Sequence, residues 1–385
     1  STSDPLIVNV SGDGIITARN PGTAVISVKA AKNGYDDAIK NLSVTVAGLR
    51  KFNLKLEPEL LILHEGDART ITSNLGNDAK IAVSVSEPSV AEIVMNGTGG
   101  KLMAKNTGES NISFTAEKQG YRTNHVDGKV VVLGNTYNTD NIVNQSIALW
   151  NNVTPEDKST RLIREKVVQD SETIITSITK RSINSNNGII TPDSSNLGEM
   201  EAEAKKLKSK LEQNIKNFFI SPSRNINLKL RVESDTTSVN NGISIKLNKS
   251  DLENLKDVDY LYTYIREYGV TVGINMSTIN QQYINNESLI INIQNDGDSF
   301  VIKFTNKNGE EIKTLNQNII LILPIDSVNP YEYSIFRQNG SETTQLGGSY
   351  DSDNQGISVQ TKIGGKFYVS ESKMNFLDIN VTIHS

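Results

Sequence analysis

The stretch Asp259-Tyr260-Leu261-Tyr262-Thr263-Tyr264-Ile265-Arg266-Glu267-Tyr268 places four tyrosines within ten residues. Sugar faces stack on aromatic rings while carboxylates and amides bind the hydroxyls, so such a run could carry carbohydrate recognition. Which rings act together depends on the element. On a helix Tyr260, Tyr264 and Tyr268 share a face; on a strand Tyr260, Tyr262 and Tyr264 do. A tyrosine stripe more often lines a half-buried face with its hydroxyls at the rim, and packing is the simpler expectation.

A second constellation, Asp351-Ser352-Asp353-Asn354-Gln355-Gly356, opens like a calcium loop with Asp351 and Asp353 as its first ligands. Its twelfth position is Lys362, where a bidentate Glu is needed, so a polar hairpin turn is expected. His64, His125 and His384 lie far apart without ligand spacing, and no metal or cofactor is expected. Each Asp and Glu sits in an ordinary charged or turn context, so no carboxylate pair for glycoside hydrolysis stands out. The sequons at Asn41 and Asn339 read as surface asparagines in an Asn-rich chain. The expectation is a protein without catalytic residues.

The 385 residues exceed one ordinary core and suggest two or three units. The net charge is −5 with basic and acidic residues interspersed, which offers no cationic face to a nucleic acid. With no cysteine, disulfide staples, zinc ribbons and thiol nucleophiles are all excluded. No apolar run reaches the ~18 residues of a membrane span.

The positioning elements emerge from an internal repeat. Ala18-Arg19-Asn20-Pro21-Gly22 aligns with Ala104-Lys105-Asn106-Thr107-Gly108, and Ala30-Ala31-Lys32-Asn33-Gly34-Tyr35 with Ala116-Glu117-Lys118-Gln119-Gly120-Tyr121, both at an offset of 86. Upstream, Asp4-Pro5 aligns with Glu87-Pro88 once three extra residues are allowed near Gly97. Both copies read as short strands, at Ile15–Ala18, Ala24–Val28 and Leu42–Val46 in the first, punctuated by Gly and Asn turns. The second copy carries a preface, residues 51–86, with further strand-like runs. By analogy, the first is expected to lack cross-sheet partners for Ile15, Val25, Ile26 and Val44, the chain opening partway through a sandwich. On this reading ~35–40 further residues of the domain precede Ser1 in the natural protein.

The Ser-Asp-Pro turn, the GIITA strand, NPGTAVISV and the closing LSVTV resemble the group 2 bacterial immunoglobulin-like domains of surface proteins and intimin-type adhesins, over roughly residues 1–47 and 51–133. The resemblance implies noncatalytic spacer or presentation modules. The asparagine-, serine- and threonine-rich composition without cysteine fits the same setting, the outside of a bacterial cell.

Beyond Gly134 a polar linker leads to a helix start at Thr154-Pro155-Glu156-Asp157, followed by Ile163, Val167, Ile174 and Ile178 on one face. Met200, Ala204, Leu207, Leu211, Ile215 and Phe218 mark a second helix, ended by Ser221-Pro222, with a loop at 184–196 between the two. Strand patterns resume from Asn225 to Val369, with a helical insertion at Ser250–Leu255 capped by Ser250. The segment LGGSYDSDNQGISVQTKIGGKFYVSESKMNFLDI resembles the region preceding S-layer homology modules, whose start would be Phe376-Leu377-Asp378-Ile379. That resemblance implies an anchor beyond Ser385.

The expected architecture is mainly β: tandem Ig-like sandwiches, the first incomplete, then an α+β part with two long helices and a β-rich C-terminal region. The expected divisions are 1–48, 49–134, 135–222 and 223–385. The expected function is to space and display modules on the bacterial wall or S-layer, with a wall or S-layer polymer as partner through the anchor. Two alternatives remain open: an adhesin or carbohydrate-binding module with a polysaccharide or host-surface ligand, and a fragment of a surface polysaccharide hydrolase.

Overall fold

The computed structural model describes residues 1–134 except 58 and 77, 143–144, 160–234 except 219, 242–276 except 254 and 256, 288–325, 327, 332–351 and 353–372. The expected helix start at 154–157, His384 and the segment 376–379 lie outside the described residues.

The repeat is a structural repeat. In the first unit β1 (Val8–Val10) pairs with β2 (Ile16–Ala18), and β3 (Gly22–Ala30) with β4 (Ala38–Val46). The second unit is a complete Ig-like sandwich. One sheet runs β5 (Leu56–Glu57), β7 (Ala68–Ser73), β10 (Gly99–Ala104), β9 (Ala91–Asn96); the other runs β6 (Leu60–His64), β12 (Asn124–Leu133), β11 (Gly108–Lys118), β8 (Ala79–Val85). Gly22 faces Val46 across the first hairpin as Gly108 faces Val132 across the second. Asn20 Nδ2 donates to Leu6 O at 2.7 Å, and Asn106 Nδ2 to Ser89 O at 2.6 Å. Gly22 and Gly108 both hold φ +150°, and a Cβ there would meet Ile7 Cδ1 at 2.6 Å and Val90 Cγ2 at 2.8 Å, so both copies need glycine at this corner.

The units differ in what covers them. Phe114 and Leu102 are fully buried in the second, under Leu56, Leu61, Leu63 and Ile71 of β5–β7. Their counterparts in the first, Val28 and Ile16, are 60% and 44% exposed. Of the four residues expected to lack partners, Ile15 and Val25 are exposed, Val44 is half-buried and Ile26 is buried beside Val8 and Ala24. Thr2 bridges Ile26 where Val85 pairs with Ile112 in the second unit, so the first residues run beside β3 as β8 runs beside β11.

The two long helices follow the apolar spacing. α1 (Arg161–Thr179) buries Val167, Ile174 and Ile178, and Thr160 caps it by accepting from Ile163 N at 3.3 Å. α2 (Ser194–Asn217) buries Met200, Ala204, Leu207, Leu211 and Ile215, with Asp193 as its cap. Between them lie two short strands, β13 (Arg181–Ile183) and β14 (Ile189–Ile190), too brief to leave a periodic signal.

The C-terminal region is a larger sandwich of two seven-stranded sheets. The first runs β13, β15 (Lys229–Ser234), β17 (Tyr260–Ile265), β18 (Val270–Asn275), β21 (Thr314–Pro324), β25 (Gly356–Ile363), β24 (Ser349–Asp351). The second runs β14, β16 (Gly242–Asn248), β19 (Ser288–Asp296), β20 (Ser299–Asn306), β26 (Gly365–Glu371), β22 (Tyr333–Asn339), β23 (Glu342–Gly347). A short helix α3 (Lys249–Leu252) follows β16, and its N-cap is Asn248 rather than Ser250, because the strand runs straight to Asn248 and the helix turns from there. Leu261, Val272, Leu321, Ile291, Phe304 and Phe367 belong to its core.

That core is continuous with α1, α2 and the outer residues Leu60, Ile62, Val131 and Leu133 of the second unit. The second unit therefore packs on α1, and a cleft opens where the two meet the first seven-stranded sheet.

Candidate functional site

The tyrosine run forms a strand, not a helix. In β17 the alternate residues Leu261, Thr263 and Ile265 enter the core, which turns Tyr260, Tyr262 and Tyr264 to the outer face. The parallel neighbour β15 sets Lys229 beside Tyr260, Arg231 beside Tyr262 and Glu233 beside Tyr264. Tyr260 and Tyr262 stack with centroids 6.1 Å apart and planes 25° from parallel, and the Arg231 guanidinium lies 4.6 Å from the centre of the Tyr264 ring. The Tyr262 ring leans over β18, where a Cβ on Gly273 would come within 2.6 Å of it; only glycine admits that approach. Tyr268 lies outside this group, buried against Phe300 at 6.1 Å.

The fold brings the second constellation to the same place. The turn between β24 and β25 carries Asp353 and Asn354 to a cleft of about 70 Å³, whose other walls include Arg69, Leu60 and Ile62 of the second unit, Thr173 and Lys180 of α1, and Lys229, Arg231 and Tyr262 of the sheet. Asp351 accepts from the backbone N–H of Asn354 at 2.8 Å and from its side chain at 3.0 Å, which closes the turn. Asp353 accepts from Thr173 Oγ1 at 3.3 Å. Asp353 lies at the mouth of the cleft, exposed along part of its surface while protein packs around its carboxyl.

Most of the charges around this cleft are paired. Glu233 takes Arg231 at 2.8 Å, Arg266 at 3.0 Å and Lys180 at 3.4 Å, and Lys180 also reaches Asp67 at 3.2 Å. Glu172 binds Lys229 at 2.7 Å and the Arg224 guanidinium. Arg231 also donates to Asn354 Oδ1. Burial alone would raise the pKa of each acid, but Arg231 and Lys180 outweigh it at Glu233, Arg224 and Lys229 at Glu172, and Lys180 with the His64 N–H at Asp67, so all three are held low.

Three groups stand apart. Arg69 has no carboxylate within ion-pair distance among the described residues and donates only to its neighbour's carbonyl, Ala68 O, at 3.4 Å. Burial, and then the like charge of Arg231, push its pKa down, yet a guanidinium stays charged. The Asp353 carboxyl is pushed up by the protein packed around it and by Asp351, against Lys229 and Arg69. Burial, then Asp351 and Tyr260, push the Tyr262 phenol well above its ordinary range.

Of the histidines, His64 lies at the end of β6 beside Ser177 of α1, with Nε2 unpartnered among the described residues and its pKa lowered by burial and by Lys180. His125 is exposed on β12. Among the described residues no three His, Cys, Asp or Glu side chains gather to hold a metal, and no helix is long and apolar enough to cross a membrane. Arg69, Thr173, Lys180, Lys229 and Arg231 were not singled out by the sequence; each sits in an unremarkable charged or polar context, and only the packing of the second unit on α1 gathers them.

The chain is a mainly-β protein of Ig-like sandwich type, with a helical pair and a larger C-terminal sandwich. No protein-family model matches it, and no curated protein matches it by sequence. Among solved structures it is similar to the S-layer protein rSbsC (19% identity, 34% of this chain and 19% of that chain, TM-score 0.21). It is also similar to the Bacteroides ovatus mixed-linkage glucan utilization locus protein SGBP-B in complex with a mixed-linkage heptasaccharide (9% identity, 90% and 62%, TM-score 0.16). A third similarity is to Salmonella alpha-2-macroglobulin (16% identity, 32% and 10%, TM-score 0.17). The chain thus spans about a fifth of the S-layer protein's length. At these TM-scores the similarities carry no functional argument.

Proposed function

We propose that the chain is a noncatalytic glycan-binding module of the bacterial cell surface, its sandwiches holding the cleft away from a wall or S-layer anchor. The observation that carries this reading is the convergence of Tyr262, which stacks on Tyr260, with Asp353, Asn354 and Arg69, a guanidinium without a carboxylate in ion-pair distance among the described residues, in one cleft. Aromatic rings beside carboxylate, amide and guanidinium groups are the equipment for holding a hydroxyl-rich ring, with apolar stacking and a small set of orienting hydrogen bonds. The repeat in residues 1–133 and its resemblance to group 2 Ig-like domains support a surface setting, and the resemblance of the segment 346–379 supports an S-layer association.

Affinity electrophoresis through gels containing individual polysaccharides, together with a glycan array, tests the reading. Retardation by at least one polysaccharide, lost in Tyr262→Ala with the thermal transition kept, is the expected result. No retardation and no array signal would return the chain to the second reading, a spacer that displays other modules, which the tandem repeat favours.

A further inference from the structure

We infer that the inner end of the cleft receives the acetamido group of an N-acetylated amino sugar, with its carbonyl on Arg69 and its N–H on Asp353. This inference rests on the glycan reading above and names the ligand class for the same site.

The argument begins with which groups remain free. Lys180, Lys229 and Arg231 all spend their charge on carboxylates, whereas Arg69 offers its remaining N–H donors to the cleft and, among the described residues, Asp353 takes a hydrogen bond only from the Thr173 hydroxyl. The cleft therefore presents one strong donor and one strong acceptor. A cationic substituent would meet Arg69 and Arg231, and an anionic one would meet Asp351 and Asp353. A neutral group with an acceptor and a donor held side by side satisfies both walls without adding charge, as a secondary amide does.

Size and lining narrow the choice. The cleft, about 70 Å³, is well below the ~300 Å³ at which drug-sized ligands are enclosed, so it suits a substituent such as an acetamido group and leaves the sugar ring outside. Leu60 and Ile62 supply an apolar wall for the methyl, which a bare hydroxyl or a primary amide would leave unused. The pyranose ring would then lie outside the opening, towards Tyr262 and the Tyr260 stacked on it.

The test is titration calorimetry of the full chain with tri-N-acetylchitotriose, the fully deacetylated trimer and cellotriose. The N-acetylated trimer is expected to bind, and the other two about tenfold more weakly or worse, as the loss of one charge-assisted hydrogen bond implies. Arg69→Ala and Asp353→Ala should each weaken it by a similar factor. Neither residue makes more than peripheral hydrogen bonds among the described residues, and a thermal transition that is kept, or raised in Asp353→Ala by loss of the destabilising carboxylate, verifies that the fold persists. If all three trimers bind alike, the acetamido inference fails and the glycan reading stands. Binding of the N-acetylated trimer that survives both substitutions places the ligand elsewhere and overturns the inference. If no trimer binds and no polysaccharide retards the chain, both readings fall together.

Discussion

Lys180, the residue closing α1, places its ammonium 3.2 Å from the Asp67 carboxylate of the second unit and 3.4 Å from Glu233 of the central sheet. One side chain thus joins three elements at the back of the cleft, with little solvent to screen it.

Removing that ammonium strands the Asp67 carboxylate, while Glu233 keeps Arg231 and Arg266. Breaking a buried pair from one side costs about 3–5 kcal/mol. Lys180→Met should show a loss of this order in urea unfolding. The double variant Lys180→Met/Asp67→Leu should recover part of it, since the second change removes the stranded carboxylate. A single variant as stable as the parent would mean that the cluster is solvated and adds nothing.

The pH dependence of stability has two components of opposite sign. Glu172 and Glu233 are held below 4.5 and Asp67 below 3.8, the ordinary values for these acids. Such groups contribute stability that is present above the unfolded pKa and is lost as pH falls through the lower folded value. Asp353 is raised, so its ionised form costs stability above its folded pKa, and the cost disappears as it protonates. The urea midpoint should fall below about pH 4.5. Asp353→Asn should raise the midpoint at pH 7 and lose that advantage on acidification, which denaturation series at fixed pH steps would record.

The four tyrosines should separate into two groups. Tyr268 packs in the core against Phe300, and Tyr268→Ala should cost about 3–5 kcal/mol, as for other large aromatic truncations. Tyr262 lines the cleft, and Tyr262→Ala should affect glycan retention more than the unfolding midpoint. Calorimetry and affinity electrophoresis on the same pair of variants would show whether the division holds.

The first unit presents Val28, Ile39 and Leu42 to solvent along a two-stranded sheet. Exposed apolar strands with an open edge invite pairing with other chains. Sedimentation should show concentration-dependent association of the parent chain, suppressed by Ile39→Lys with Leu42→Lys. Equal sedimentation of the two would show that this two-stranded sheet is inert.

Much of this molecule can be read in one dimension. The offset of 86 predicts two hairpins of the same register because the residues that form it, Gly22 and Gly108 or Asn20 and Asn106, act locally through backbone sterics and short hydrogen bonds. The faces of α1 and α2 are equally legible, since burial on a helix repeats with its pitch. The tyrosine run left helix and strand both open, because Tyr260, Tyr264 and Tyr268 fit the helical period and Tyr260, Tyr262 and Tyr264 that of a strand. Pairing with β15 and β18 decided for the strand and sent Tyr268 into the core. The cleft was beyond reach of the sequence. Arg69, Thr173, Lys229, Tyr262 and Asp353 come from five separate elements, and no local periodicity reports which elements will meet. Whether a charge is paired or free is likewise settled only in three dimensions: Lys180 and Arg69 are both ordinary cations in the chain, but the packing of the second unit on α1 gives the first two carboxylates and the second none within ion-pair distance among the described residues.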